Sequence, residues 1–232
     1  MYLRHLKLPG ITPYTHAADL QNRLVSSFLS NKASPLTTPS PQPTIITTQF
    51  PPVYTCGRRE IGTVSPSQKL HLEADGKASF YEALRGGQTT FHGPGQLVAY
   101  PILDLKQHAL TPRCYIRLLE NAVISTLATY GIKGFTTENP GVWTSNDEKI
   151  CAVGVHLRRN ITSFGIGLNV FTDLAWFDRI VACGLEGKRT VSLRSVGVDV
   201  GVETVSEVFV GEMARALKNV EDVKIIDEDE LD

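Results

Sequence analysis

Twelve consecutive residues, Arg85 to Gln96 (RGGQTTFHGPGQ), combine four glycines with an arginine and a histidine. Glycine permits positive φ and lets backbone N–H groups come close to a ligand. The segment lacks the Gly-Lys-Ser/Thr ending of a nucleotide P-loop and the spacing of a dinucleotide fingerprint. It therefore predicts a ligand-binding loop, with a purely structural turn cluster as the alternative. His92 is either a hydrogen-bonding site residue or an ordinary buried or surface group.

A second candidate for chemistry is the thiol of Cys183, which is followed by Gly184. A thiol becomes a nucleophile with help from a nearby cation, a general base or a helix N-terminus. Lys149 begins a predicted strand, and Lys188 and Arg189 follow Cys183 closely. Any single cysteine is more often a small buried hydrophobe than a catalyst. The residue types alone do not select one of the cysteines.

The composition limits the classes of protein that the chain can belong to. It has 232 residues, 42% of them hydrophobic and 20% charged, which predicts one folded domain with a core. A net charge of −1 gives no overall basic field for nucleic acid. The longest uncharged stretch, Ala33 to Gly57, carries six prolines, which argues against a membrane-spanning helix.

The four cysteines are far apart and form no Cys-x-x-Cys pair, so we expect free thiols with neither a zinc site nor a disulfide scaffold. We also expect no other metal.

The elements that must position these residues follow from hydrophobic spacing and caps. Helices are predicted at Thr15–Lys32, Pro112–Tyr130 and Glu203–Leu217, with a short helical piece at Leu174–Ile180. Strands are predicted at 44–50, 79–83 and 96–105, and an antiparallel meander at 141–144, 149–157 and 161–171. We assign 1–220 to one domain, which the resemblance described next implies is catalytic, with a Pro/Ser/Thr-rich loop insertion at 33–43, and 221–232 to an acidic, solvated C-terminal tail.

The segment Arg85–Tyr100 (RGGQTTFHGPGQLVAY) resembles the signature of the lipoyl(octanoyl) transferase family. The similarity covers almost the whole chain, from about Leu3 to Val210. Its further segments are PPVYTCGRR (51–59), NPGVW (139–143), KICAVGV (149–155), ITSFGIGLNV (161–170) and the region around Cys183-Gly184.

The resemblance implies a single-domain α/β fold like that of biotin and lipoate protein ligases, a mixed sheet flanked by helices. It implies transfer of an octanoyl or lipoyl group from acyl carrier protein to one lysine of a lipoyl domain, the first step of protein lipoylation. The octanoyl group arrives as a phosphopantetheine thioester, so no cofactor is expected. The acceptors implied are glycine cleavage H protein and the acyltransferase subunits of 2-oxoacid dehydrogenases. We expect a monomer.

The resemblance also assigns roles to residues. Cys183 corresponds to the nucleophile that forms the acyl thioester, and Lys149 to the lysine that lowers its pKa. Small residues on two strands predict an apolar tunnel for the eight-carbon chain. The substrate-binding residues implied are Arg85, Gly86, Gly87, Gln88, Thr89, Thr90, Phe91, His92, Ala152, Val153, Gly154, Gly165, Ile166 and Gly167.

The chain departs from the family pattern in three places. Ala182 stands where many members have proline, Cys151 replaces a small aliphatic residue, and 33–43 is inserted. The insertion and the IVACGL segment are more typical of eukaryotic members, which implies a mitochondrial location, or a cytoplasmic one for a bacterial protein. No clear presequence is visible.

Two alternatives to a transferase are considered. An ATP-dependent lipoate or biotin ligase on the same fold would not need a nucleophilic cysteine, although the GRGRRG-type loop of biotin ligases is absent. A non-enzymatic acyl-binding module would leave Cys183 buried and Lys149 solvated. For a transferase, whose acyl carrier protein is expected to be acidic, the pairs Arg58-Arg59, Arg158-Arg159 and Lys188-Arg189 are candidates for steering that partner, or are ordinary solvated turns.

Overall fold

The computed structural model describes residues 1–35, 40–180 and 187–231. Helices α1 to α4 span Tyr14–Ala33, Pro66–Glu73, Pro112–Ala128 and Val202–Ala216. Strands β1 to β11 span Tyr2–Ile11, Thr44–Gln49, Val53–Cys56, Ser79–Glu82, Thr90–His92, Gln96–Ile102, Val142–Ser145, Glu148–Arg158, Ile161–Asn169, Arg189–Thr190 and Asp222–Ile226.

Among the described residues, eight strands form the main sheet in the order β10-β8-β9-β6-β2-β1-β11, with β7 paired to β8. The sheet is mixed, because β1 runs parallel to β2 and β11 while β2, β6, β9, β8 and β7 pair antiparallel. The turn between β8 and β9 consists of Arg159 and Asn160, both with positive φ. Such a two-residue turn matches the strand twist and fixes the register of the meander.

Helices cover both faces of this sheet. One core cluster joins the sheet to α3 and α4, and the other joins it to α1. α3 begins where Thr111 accepts a hydrogen bond from the Cys114 N–H and Pro112 occupies the first turn. These layers confirm the predicted mixed sheet flanked by helices.

A smaller sheet of β4, β3 and β5 stands beside the main one. Its Tyr54 and Phe91 pack against Trp176, with the Phe91 and Trp176 rings stacked 5.3 Å apart. Trp176 belongs to a 3₁₀ helix, Leu174–Arg179, at the predicted short helical piece. The glycine-rich loop lies between β4 and β6 and thus links the two sheets.

The structure confirms the predicted helices and the antiparallel meander, and differs from the prediction at both ends of the chain. β1 was not predicted. The tail predicted as solvated instead contributes β11, which pairs in parallel with β1 and buries Ile226. β1 has unpaired backbone groups along its outer side, and β11 pairs with them. This pairing forms hydrogen bonds with backbone N–H and C=O groups that water would otherwise have to satisfy.

Helix α2 was also missed, although Ser65 and Gln68 form a capping box at its start. Of the predicted insertion 33–43, Ala33 ends α1 and residues 36–39 lie outside the described residues. No helix in the described ranges has the length and apolar character needed to cross a membrane.

Candidate active site

A narrow cleft lies between the glycine-rich loop and the adjoining strands β8 and β9. Its volume is about 40 Å³ where the centre of a water molecule fits, and about 440 Å³ when all the space out to its open mouth is counted. Its lining residues are Arg85, Gly86, Gly87, Gln88, Thr90, His92, Tyr100, Ala152, Val153, Gly154, Phe164, Gly165, Ile166 and Gly167. Twelve of the fourteen predicted substrate-binding residues therefore lie around one cleft.

The remaining two predicted residues do not line this cleft. The Thr89 hydroxyl donates to Glu60 at 2.8 Å on the outer side of the loop. The Phe91 ring is buried against Tyr54 and Trp176. Thr90 and His92, which flank Phe91 on β5, face the cleft because successive side chains of a strand point to opposite sides.

The glycine-rich loop is held in place by the Arg85 guanidinium. Its Nη2 donates to the Thr55 carbonyl at 2.6 Å, and its Nη1 donates to the carbonyls of Gly86 and Gln88 at 3.0 and 2.9 Å. The Gly86 N–H donates to the carbonyl of Val155 on β8. A planar fork of donors can bridge several carbonyls at once, so Arg85 ties the loop to β3 and to itself.

Two glycines in the cleft allow backbone segments to approach one another. A Cβ on Gly154 would lie 3.0 Å from the Gly86 carbonyl oxygen, and one on Gly165 would lie 2.2 Å from that of Ala99. Larger residues here would push the loop or the neighbouring strand away. The small residues predicted to leave room for an acyl chain thus also allow the strands and the loop to pack closely.

A second, narrower space adjoins the cleft and contains Lys149. The two spaces share Thr90, His92, Ala152 and Gly167. The Lys149 side chain is 7% exposed; its Nζ donates to the Pro140 carbonyl at 2.8 Å and lies 5.3 Å from the centre of the Trp143 ring. A desolvated ammonium over an aromatic face is attracted by the ring. The NPGVW segment therefore forms much of the surroundings of Lys149.

Gly141 allows this arrangement. Its φ is +125°, and a Cβ at this position would lie 2.5 Å from the Lys149 Cε. Its N–H donates to the carboxylate of Glu120, a buried residue of α3, at 3.0 Å. The loop beside Lys149 is therefore fixed from behind by α3.

His92 belongs to a buried hydrogen-bond chain. Its Nδ1 donates to the side-chain oxygen of Gln96 at 2.6 Å, and the Gln96 amide donates to Asn169. The Gln96 NH₂ donates to the Phe91 carbonyl and to Asn169, so the Gln96 side-chain oxygen must accept from the Nδ1 of His92. The Nε2 of the neutral imidazole is then an acceptor. Burial, assisted by the nearby Arg85 charge, lowers the pKa of His92 to about 4. The imidazole is thus neutral at physiological pH.

The predicted nucleophile, Cys183, lies outside the described residues. The described cysteines, Cys56, Cys114 and Cys151, are free thiols. Cys151 is fully buried, and burial raises the pKa of its thiol despite the opposing effect of Lys149. Cys151 therefore stays protonated at neutral pH and is a poor nucleophile.

Some residues around the site were not predicted from the sequence to be part of it. Tyr100 and Phe164 line the cleft, and Gln96 and Asn169 orient His92. All four lie inside segments that resemble the transferase family, but their types carry no chemical signal. Lys188 and Arg189, considered as steering charges, are ion-paired with Asp147 and Glu148.

Comparisons with known proteins identify the family and the fold. Residues 13–214 match the family model described as the lipoyl protein ligase A/B catalytic domain. A protein of Schizosaccharomyces pombe named "Probable octanoyltransferase" is 50% identical over 204 residues, covering 88% of this chain and 90% of that protein. The mitochondrial octanoyl-[acyl-carrier-protein]:protein N-octanoyltransferase of Danio rerio is 44% identical over 171 residues, covering 72% of this chain and 75% of that protein.

Among solved structures, a lipoate-protein ligase A bound with ATP has a TM-score of 0.72 at 15% identity, covering 98% of this chain and 90% of that one. At that identity the likeness establishes the fold, which the ligases share, and the sequence relatives distinguish the transferases from them. The chain therefore belongs to the lipoyl protein ligase A/B catalytic-domain family and, within it, is an acyltransferase of the octanoyltransferase group.

Proposed function

We propose that the protein carries an octanoyl group from acyl carrier protein to a lysine of a lipoyl domain through a thioester on Cys183, with Lys149 as its proton-transfer partner. The observation that carries the proposal is the meeting of the cleft with Lys149. Residues from the glycine-rich loop, β8 and β9 form a mostly apolar channel that adjoins the space around the ammonium.

The position of Cys183 in the chain supports its role. Cys183 is three residues after Ile180 and seven before Thr190, and Thr190 pairs with Lys149 at the edge of the main sheet. Phe177, in the preceding 3₁₀ helix, lines the same space as Lys149. Residues on both sides of the segment that contains Cys183, Phe177 before it and Thr190 after it, therefore line the space that holds the Lys149 side chain.

The chemistry follows two half-reactions. The Cys183 thiolate attacks the octanoyl carbonyl carbon; the phosphopantetheine thiolate leaves and takes a proton from the Lys149 ammonium. The acceptor lysine amine then attacks the new thioester; Lys149 takes its proton as Cys183 leaves as a thiolate. One thioester replaces another in the first step, and amide formation drives the second, so ATP is not needed.

The test is the intact mass of the protein after incubation with octanoyl acyl carrier protein. We expect the wild type and Cys183→Ser to differ by one octanoyl group. Cys151→Ser is the matched control, because its thiol is buried beside Lys149, and it should keep the adduct. An adduct that survives in Cys183→Ser, or an ATP requirement for any transfer, would contradict the thioester mechanism.

We further propose that the acceptors are lipoyl-domain proteins such as glycine cleavage H protein and 2-oxoacid dehydrogenase acyltransferase subunits, that the enzyme needs no cofactor, and that it acts as a monomer in mitochondria. The name of the zebrafish relative supports both the donor and the location. Transfer to purified acceptor domains, and the compartment in which the native protein is found after cell fractionation, test these points separately. A non-mitochondrial native protein with normal transfer would leave the activity and overturn only the location.

A further inference from the structure

The cleft ends at two aromatic rings on the side away from Lys149. Its lining stops at Gly154 on β8, Phe164 on β9 and Tyr100 on β6. The rings of Tyr100 and Phe164 meet edge to face, with centroids 5.7 Å apart and planes at 72°. Tyr100 is 4% exposed, and Phe164 packs against the core cluster under α1. These two side chains form an end wall.

Phe164 has a backbone conformation that is uncommon for an aromatic residue. Its φ is +57°, in the middle of a strand. A bulky residue at positive φ is strained, and such strain occurs preferentially at functional sites. The pairing of β9 with β8 continues through this residue, so the distortion is confined to the side facing β6.

The cause is on the neighbouring strand. Continuing the register of β6 and β9 beyond Ala99–Ile166 would place Phe164 opposite Pro101, whose ring nitrogen has no hydrogen to donate. The ladder is interrupted there: the Pro101 carbonyl accepts from the hydroxyl of Thr162, and the Phe164 N–H donates to the side-chain oxygen of Gln21 at 2.6 Å. Gln21 is a buried residue of α1. It holds the distorted backbone and therefore the ring.

The distance along the floor of the cleft fits a chain of eight carbons. From the pair Ala152–Gly167, shared with the Lys149 space, to the pair Val155–Phe164 there are three residue steps, or about 10 Å. The seven C–C bonds of an octanoyl group, each about 1.5 Å long, span roughly 9 Å when extended. An acyl chain that starts beside Lys149 would reach the end wall with its last carbons.

We propose that Phe164, backed by Tyr100, sets the upper limit on acyl-chain length, and that Gln21 is a positioning residue that holds Phe164 in place. This inference rests on the proposed function of the cleft. A longer chain must displace a ring held by its own backbone, whereas each missing methylene group forfeits burial equivalent to about a fourfold change in affinity.

The test measures kcat/KM for transfer from hexanoyl, octanoyl, decanoyl and dodecanoyl acyl carrier protein. Phe164→Gly removes the ring and relieves the positive φ, so the backbone gain offsets part of the packing lost under α1. We expect the ratio of decanoyl to octanoyl transfer to rise at least tenfold. Phe164→Trp should shift the preference in the opposite direction, toward hexanoyl. Phe80→Ala is the control, because Phe80 is an aromatic residue of the smaller sheet that does not line the cleft.

Gln21→Met tests the positioning role, because it removes the acceptor of the Phe164 N–H without touching the cleft. We expect weaker selection by acyl-chain length, with kcat/KM for the decanoyl donor raised several-fold and that for the octanoyl donor nearly unchanged. An unaltered chain-length profile in folded Phe164→Gly and Phe164→Trp proteins would overturn the inference. A wild type that transfers none of the four chains would instead overturn the proposed function.

Discussion

At one end of the cleft, the Lys149 ammonium is held by the Pro140 carbonyl and the face of Trp143, beside a loop that Glu120 fixes from behind. At the other end, the rings of Phe164 and Tyr100 meet over a distorted strand. A charged group that moves protons must be held at a defined distance, so hydrogen bonds and loop geometry determine its position. The apolar end with Phe164 selects the acyl chain by its shape alone. Substitutions at the Lys149 end should therefore change rates, and those at the Phe164 end should change specificity.

Lys149→Met should cause the largest effect. It keeps a long side chain against Trp143 but removes the group that transfers protons, so we expect kcat to fall by about 10² to 10⁴-fold. The pH midpoint for alkylation of Cys183 should rise, because a nearby cation favours the thiolate. The control is Lys188→Met, an exposed ion-paired lysine, which should keep full activity. Normal turnover in Lys149→Met would contradict the proposed role of this end.

Gly141→Ala should come next, with a fall in kcat of about tenfold to a hundredfold, since small displacements of catalytic groups have effects of this size. The added Cβ would collide with the Lys149 Cε. The matched control is Gly131→Ala: Gly131 also has positive φ, at +73°, but open space around its Cα. Gly131→Ala should lose about 1 kcal/mol of stability from the backbone, and Gly141→Ala more, because its Cβ would also lie 2.5 Å from the Cys151 carbonyl oxygen. A changed chain-length preference with an unchanged kcat in Gly141→Ala would break the comparison of the two ends.

Arg85→Lys should produce a smaller change of a different kind. Arg85 lies between the two ends and bridges three carbonyls of the loop and β3, which an ammonium cannot do at once. We expect KM for octanoyl acyl carrier protein to rise about tenfold with kcat falling less, because binding is weakened more than chemistry. Steady-state kinetics over a range of donor concentrations measure the split. An effect on kcat alone would assign Arg85 to the reacting end.

The smallest effect on activity is expected at His5, outside the cleft. Burial lowers the pKa of both His5 and His92 to about 4, against 6.5 for a free histidine. The unfolded chain therefore binds more protons below pH 6.5, and the free energy of unfolding falls as pH drops from 6.5 toward 4, by up to about 3 kcal/mol for each residue. Above pH 6.5 this contribution to stability is fully present.

His5→Gln should flatten the acid side of the stability curve while leaving transfer rate and chain preference unchanged. Urea unfolding at pH 7 and pH 4.5 measures the difference. His5 donates to or accepts from the Thr47 hydroxyl at 2.8 Å, so the variant should also be less stable at pH 7. If the free energy of unfolding of His5→Gln falls as steeply below pH 6.5 as that of the wild type, titratable groups other than His5 determine the acid dependence.

Much of the fold could be predicted locally. Apolar spacing and the Thr111 cap identified α3, and the Arg159-Asn160 turn lay between the strands predicted as a hairpin. β1 and β11 could not be predicted in this way, because their pairing joins residues about 220 positions apart. The acidic residues of β11 resemble a solvated tail until β1 is known to offer an edge. The capping box of α2 was a readable signal.

The candidate site, too, has residues that could be predicted from the sequence and others that could not. The residue types alone predicted a binding loop at Arg85–Gln96, and the family resemblance pointed to Lys149 and to the small residues of β8 and β9. Tyr100, Phe164 and Gln21 carry no chemical signature in the sequence. Their relation depends on the absence of an N–H at Pro101, on the register that brings Phe164 to that position, and on a side chain 143 residues away in α1.

The sequence by itself determined the family, three of the four described α-helices, and the glycines and charged groups available for chemistry, because these are recorded in residue type and local spacing. Only the tertiary structure decided which side chains meet. Register between distant strands sets that outcome, and a shift of one residue would turn every side chain of β8 and β9 to the opposite face. The length of the cleft, and with it the acyl chain that we expect it to accept, is a property of that register.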